Sequence, residues 1–287
     1  MSEPHIDEVS GVETTGHEWD GIRELNNPLP RWWLLTFYAT IVWAIGYTIA
    51  YPAWPLISSA TTGMLGYSSR ADIKQELAAA ETAKAGYIAA ISSKSVDNIW
   101  ADENLRNFAA AAGAAKFKVN CVPCHGSGAE GSKGYPNLND DEWLWGGKIA
   151  DIQQTIAHGI RFEGDAQTRV SEMPAFKDIL KADQIVAVAN YTASLSGLRA
   201  DSAKTQAGRA VFNQNCASCH GETGKGNREM GAPNLTDAIS LYVSSEASIE
   251  QQIISPRHGV MPAWQQRLGD VTVKELAIYV YSLGGGK

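Results

Sequence analysis

The chain has 287 residues, 44% of them apolar and 19% charged, a balance typical of folded protein and not of a disordered chain. Its formal charge of −7 and isoelectric point near 5.4 argue against a nucleic-acid partner, which would favour a basic face. All four cysteines fall in two Cys-x-x-Cys-His motifs; none is left for a structural disulfide, so cysteine use points to cofactor attachment.

The first thirty residues carry Asp7, Glu8, Glu13, Glu18, Asp20 and Glu24, and lack the basic start and early apolar run of a cleaved signal peptide. From Trp32 to Ser69 no residue is charged, and Trp32 to Tyr51 is mostly large and apolar. A helix of that length spans about 30 Å, the thickness of a bilayer core. Trp32 and Trp33 at one end, with Tyr51 and Trp54 at the other, suit the two interfacial aromatic belts, and Pro52 and Pro55 end the helix. The alternative is a buried helix of a soluble core, but this segment is apolar on every face. Arg23 and Arg31 precede it, whereas the next basic residues are Arg70 and Lys74; that bias places the N-terminus in the cytoplasm.

Residues 71–115 read as helical. Ile73, Leu77, Ala80, Ala83, Tyr87, Ile88 and Ile91 recur at three- and four-residue spacing, a stripe suited to packing. Beyond it the chain repeats itself. Ala115-Lys-Phe-Lys-Val-Asn-Cys121 matches Ala210-Val-Phe-Asn-Gln-Asn-Cys216, and Tyr135-Pro-Asn-Leu138 matches Ala232-Pro-Asn-Leu235. His158-Gly-Ile160 pairs with His258-Gly-Val260, and Met173-Pro-Ala-Phe176 with Met261-Pro-Ala-Trp264. Each copy closes on a helical pattern, Asp183 to Leu195 and Val273 to Leu283, with Gly197 or Gly284 as the stop signal. The first copy holds an extra polar loop, Arg161 to Ser171, expected to face solvent.

Cys121-Val122-Pro123-Cys124-His125 and Cys216-Ala217-Ser218-Cys219-His220 have the spacing that covalent haem attachment needs. The two thiols sit one helical turn apart and add to the vinyl groups of one porphyrin, and the histidine falls beneath the iron as proximal ligand. A lone Cys-x-x-Cys also suits a zinc half-site or a redox pair; duplication inside a longer repeat, each copy followed at once by His, favours two haem c groups. In bacteria such haem attachment takes place outside the cytoplasm, in agreement with the charge bias. Met173 and Met261 occupy matching places, as distal iron ligands would, whereas Met230 has no counterpart and reads as packing. His/Met ligation raises the reduction potential and fills the sixth position. His158 and His258 also recur in register, either as ligands of a bis-His iron or, the favoured reading, as polar groups bonding backbone or propionate beside the ligand loop.

The two haem segments resemble class I cytochrome c domains, in which a few helices wrap each haem; Pro136 and Pro233 then lie where such domains place a proline carbonyl that accepts the proximal histidine's ring N–H. The box Trp19-Asp-Gly-Ile-Arg-Glu-Leu-Asn-Asn-Pro-Leu-Pro-Arg-Trp-Trp33 resembles the lead into the membrane anchor of subunit III of cbb3-type cytochrome c oxidases, the dihaem subunit CcoP or FixP, and the likeness covers nearly the whole chain. The fold expected is all-α: a tail (1–31), an anchor (32–56), a linker (57–107) and two tandem cytochrome c domains (108–199 and 200–287). The resemblance implies a non-catalytic subunit that passes electrons from a soluble or membrane cytochrome c donor, beside a monohaem cytochrome c subunit, toward an oxygen-reducing haem–copper subunit, with the haem domains in the periplasm of an inner membrane. It also suggests that Met261 serves the first haem and Met173 the second; spacing alone suits ligation within each domain equally. An anchored dihaem carrier of another respiratory complex and a dihaem peroxidase are the alternative functions. Two covalent haems per chain are expected, and a pyridine haemochrome assay on denatured protein that returned one equivalent would contradict this.

Overall fold

The computed structural model describes residues 5–237 and 239–285. The chain forms two compact units, one up to Ala83 and the other from Lys84 onward.

The first unit opens on a two-stranded antiparallel hairpin, β1 (Thr14–Trp19) and β2 (Ile22–Leu25), with Trp19 opposite Ile22. Asp20 (φ 50°) and Gly21 (φ 85°) make its turn, both in the left-handed region that a tight hairpin of this handedness requires. Among the described residues this two-stranded sheet is the one sheet added to the expected all-α pattern. Helix α1 (Arg31–Ala50) follows Pro30 and has a mean hydropathy of 1.5 with none of its length buried. Its bounds match the apolar run from Trp32 to Tyr51 to within one residue at each end and stop short of the expected anchor boundary at 56. The amides of Met64 and Leu65 donate to the carbonyls of Ile49 and Ala50 at 2.9 and 3.0 Å, so the final carbonyls of the helix are satisfied by the chain that follows it.

The pattern over 71–115 is not one helix but parts of three: α2 (Ser69–Ser93), α3 (Val96–Ala101) and α4 (Glu103–Asn120). The breaks have local causes. Ser95 accepts from the amide of Asn98, and the Asp102 carboxylate from that of Leu105, each starting a new helix with a side-chain cap. Of the apolar stripe on α2 only Ile91 is buried; Ile73 and Leu77 are exposed. The C-terminal end of α2 is held by Lys274, whose ammonium donates to the carbonyls of Ile91 (3.3 Å) and Ser92 (3.0 Å) and pairs with Asp270 at 2.8 Å. A cation at a helix C-terminus is favourable to the helix dipole.

The second unit contains two apolar cores. The remaining α-helices among the described residues are α5 (Val122–His125), α6 (Ile149–His158), α7 (Ala182–Leu195), α8 (Ser202–Asn215), α9 (Ala217–His220), α10 (Glu246–Ile254) and α11 (Gln265–Ser282), the last interrupted at Gly269. One core joins Leu105, Ala109 and Phe117 of α4, Ile149, Ile152 and Ile156 of α6, and Val273, Leu276 and Ile278 of α11. The other joins Ile185, Val188 and Ala193 of α7, Val211 and Phe212 of α8, and Ile249 and Ile253 of α10. The packing therefore crosses between the two copies of the repeat. Helix α11 closes the core that α4 begins, and α7 closes the core of α8 and α10.

Glycines sit where these helices cross. A Cβ on Gly113 of α4 would strike the backbone carbonyl of Glu275 on α11, and one on Gly208 of α8 that of Ala187 on α7. The two positions match in the repeat, and both permit backbone contact that any side chain would wedge apart. Gly113→Ala is expected to destabilise the α4–α11 core by about 1–3 kcal/mol, read as a lower unfolding midpoint of the holoprotein.

Candidate haem sites

Each Cys-x-x-Cys-His motif lies at the end of a core helix. Cys121 terminates α4, and the amides of Cys124 and His125 donate back to its carbonyl at 3.1 and 2.9 Å, forming the single turn of α5. Cys216, Cys219 and His220 repeat this with 3.2 and 2.9 Å. Gly126 (φ 82°) and Gly221 (φ 75°) end the turns. The chain then folds beneath each histidine: Gly131 N–H bonds His125 O, and Gly226 N–H bonds His220 O. These loops bring Pro136 O to 3.1 Å from His125 Nδ1 and Pro233 O to 3.1 Å from His220 Nδ1.

That contact settles the ring chemistry. A carbonyl only accepts, so Nδ1 carries the proton and the Nε2 lone pair is free for iron. Burial, partly offset by the proline carbonyls, holds both imidazoles below their ordinary range, which keeps them neutral at pH 7. No disulfide joins the four cysteines. Burial, with a smaller contribution from the neighbouring cysteine, pushes Cys121 and Cys216 up to about 11; they remain thiols able to add S–H across a vinyl group. Two thiols and one neutral nitrogen on a single turn, present twice, fit covalent haem in each place.

The methionines are distributed across the repeat. Met261 packs against the core that holds Cys121 and Val122, together with Trp264. Met173 packs against the core that holds Cys216 and Ala217. Met261 is held by two backbone bonds with Ile160, at 2.9 and 3.0 Å. Met173 donates its backbone N–H to His258 Nε2 at 3.0 Å, so His258 is hydrogen-bonded to the backbone of the Met173 loop. His158 differs: its Nδ1 pairs with Asp165 at 3.1 Å.

Two arginines of the extra loop do not face solvent as expected. Arg169 donates to Trp145 O (3.1 Å) and Thr155 Oγ1 (2.6 Å), pairs with Asp151 (3.4 Å) and lies over the Trp145 ring. Arg161 reaches from Nε to Gly259 O and from Nη1 to Ser171 O, both at 2.8 Å. Its backbone takes φ 51°, a left-handed conformation costly to a bulky residue. Sequence reasoning missed Arg161; its partner Gly259 lies far along the chain, and the positive φ leaves no local signature. The loop's middle, Glu163, Gly164, Ala166 and Gln167, is exposed as expected.

Comparison with known families matches this arrangement at both ends. Residues 11–58 fit the N-terminal domain of cytochrome oxidase-cbb3, FixP, and residues 108–191 and 203–280 fit cytochrome c oxidase, cbb3-type, subunit III. The chain belongs to the subunit III family of cbb3-type cytochrome c oxidases. The cbb3-type cytochrome c oxidase subunit FixP of Rhizobium meliloti is 61% identical over 99% of this chain and 98% of its own length. The FixP subunit of Bradyrhizobium diazoefficiens is 58% identical over 98% of each chain, and the CcoP subunit of Cereibacter sphaeroides 51% identical over 96% of this chain and 95% of its own. The hairpin, α1 and both Cys-x-x-Cys-His turns fall within the matched family segments.

Gly159, which follows α6, takes φ 71°, and a Cβ there would overlap the carbonyl oxygen of Met261. Gly159→Ala is expected to push the Met261 loop outward and destabilise the packing around it, read as a lower unfolding midpoint of the holoprotein.

Proposed function

We propose that this chain is the membrane-anchored dihaem electron carrier of a cbb3-type oxidase, taking electrons from a cytochrome c donor and passing them toward the oxygen-reducing haem–copper subunit, beside a monohaem cytochrome c subunit. The observation that carries this reading is the pair of identical thiol–thiol–imidazole turns, one in each core, within a chain whose anchor and haem segments both match that family. Covalently held haem iron supplies reversible one-electron exchange with little rearrangement. The protein's own groups set the conditions. Burial keeps His125 and His220 neutral, and the carbonyls of Pro136 and Pro233 fix the proton on Nδ1, leaving Nε2 to face the iron.

His125 and Met261 are proposed as the axial pair of the haem on Cys121 and Cys124, and His220 and Met173 as that of the haem on Cys216 and Cys219. The packing of each methionine against the core bearing that motif supports the exchange. In this reading each haem unit combines the front part of one repeat with the closing part of the other, so a boundary near residue 200 divides the sequence but not the cores. Thioether ligation favours the reduced iron relative to a second imidazole. Met261→His should therefore lower one potential, and removal of Cys121 and Cys124 should abolish that same transition. If the lowered transition belongs to the haem on Cys216 and Cys219, ligation is within the repeat.

The N-terminus lies in the cytoplasm and the haem units in the periplasm in this reading, supported by Arg23 and Arg31 before the span and by the site of haem attachment. Protease added to spheroplasts is expected to cut beyond α1 and spare a tag on the N-terminus; loss of the tag would reverse the orientation.

A further inference from the structure

The two methionine-bearing loops meet. Gly259 stands two residues before Met261 and Ser171 two before Met173, and the guanidinium of Arg161 bonds both carbonyls at 2.8 Å. His258, next to Gly259, accepts the backbone N–H of Met173 at 3.0 Å. On the other side of the joint, Ile160, next to Arg161, exchanges two backbone bonds with Met261. Four residues in two pairs, Ile160-Arg161 and His258-Gly259, thus tie both loops together. Arg161 is half-buried and holds a left-handed φ of 51°, a conformation that persists only where its surroundings enforce it.

We infer that Arg161 and His258 are positioning residues that hold the two thioether ligands through one joint, Arg161 acting on both methionines and His258 on Met173 alone. This rests on the assignment of Met173 and Met261 as iron ligands. The contributions differ in size. Arg161 makes two charge-assisted bonds from a planar fork, which a single point charge does not reproduce. His258 makes one neutral bond at an exposed position, where water competes. A looser joint raises the fraction of iron with its thioether detached, and the apparent affinity for an added ligand rises in proportion.

The test uses the full-length dihaem protein in mild detergent, oxidised and titrated with imidazole while the thioether-to-iron charge-transfer band is followed. Met173→Leu provides the reference, since it should remove about half of that band. Arg161→Gln is expected to raise imidazole affinity at both irons by about tenfold or more. Arg161→Lys, which keeps the charge and loses the fork, should show most of that rise. His258→Leu should raise affinity about two- to threefold, only at the iron identified by Met173→Leu, and His258→Gln should restore it. Unchanged affinity in Arg161→Gln, a rise at one iron only, or full recovery with lysine would overturn the joint, as would a glutamine at 258 that behaves like leucine. If Met173→Leu leaves the band whole, the ligand assignment itself has failed, a result separate from failure of the joint.

Discussion

A helix from the end of one repeat laid across a helix from the start of the other closes each apolar core, and the haem sites depend on that crossing. Where α11 meets α4 and α7 meets α8, Gly113 and Gly208 let backbones touch. Phe117 and Phe212, each essentially inaccessible to solvent, lie one turn before Cys121 and Cys216. Truncating a phenylalanine so placed costs about 3–5 kcal/mol, which shows how firmly each motif is tied to its core. The thiols and imidazoles are thus fixed to a packed helix end, while the methionines arrive on loops that belong to the other half of the sequence.

Electrostatics completes the picture at short range. Each proximal imidazole meets a proline carbonyl at Nδ1, and burial keeps it uncharged. The same burial keeps Cys121 and Cys216 protonated. Iron ligation requires a neutral imidazole with a free Nε2; burial supplies the neutrality and the proline carbonyl fixes the proton on Nδ1.

Features encoded by neighbouring residues were legible in the sequence. The Cys-x-x-Cys-His turns are complete within five residues, and α1 follows from a run of apolar side chains between prolines. The repeat told which residues correspond, and so drew attention to Met173, Met261, His158 and His258. It did not tell which copy each would join, because a pseudo-symmetric pair of motifs is satisfied equally by partners from either half. The helical stripe over 71–115 concealed two breaks whose signals, Ser95 and Asp102, are ordinary capping residues set among good helix formers. Arg161 and Arg169 looked like solvent-facing polarity in an inserted loop, since their partners Gly259 and Trp145 become neighbours only in three dimensions. Spacing left both methionine arrangements open, and family likeness alone suggested the exchange proposed above.

The crossing also sets an order of events for a chain that leaves the ribosome N-terminus first. The core around the second Cys-x-x-Cys-His motif draws on α7, α8 and α10, so its elements are complete once Ile254 has emerged. The core around the first motif needs α11, which ends at Ser282. The motif made first therefore waits longest for its final helix, and its contacts span most of the second unit. Pairings so distant in sequence form slowly, because the intervening chain must be ordered before they are rewarded. Cys121 and Cys124 consequently wait for their core through all the synthesis that follows them up to α11, while Cys216 and Cys219 appear in a chain that already holds every earlier element of their own core.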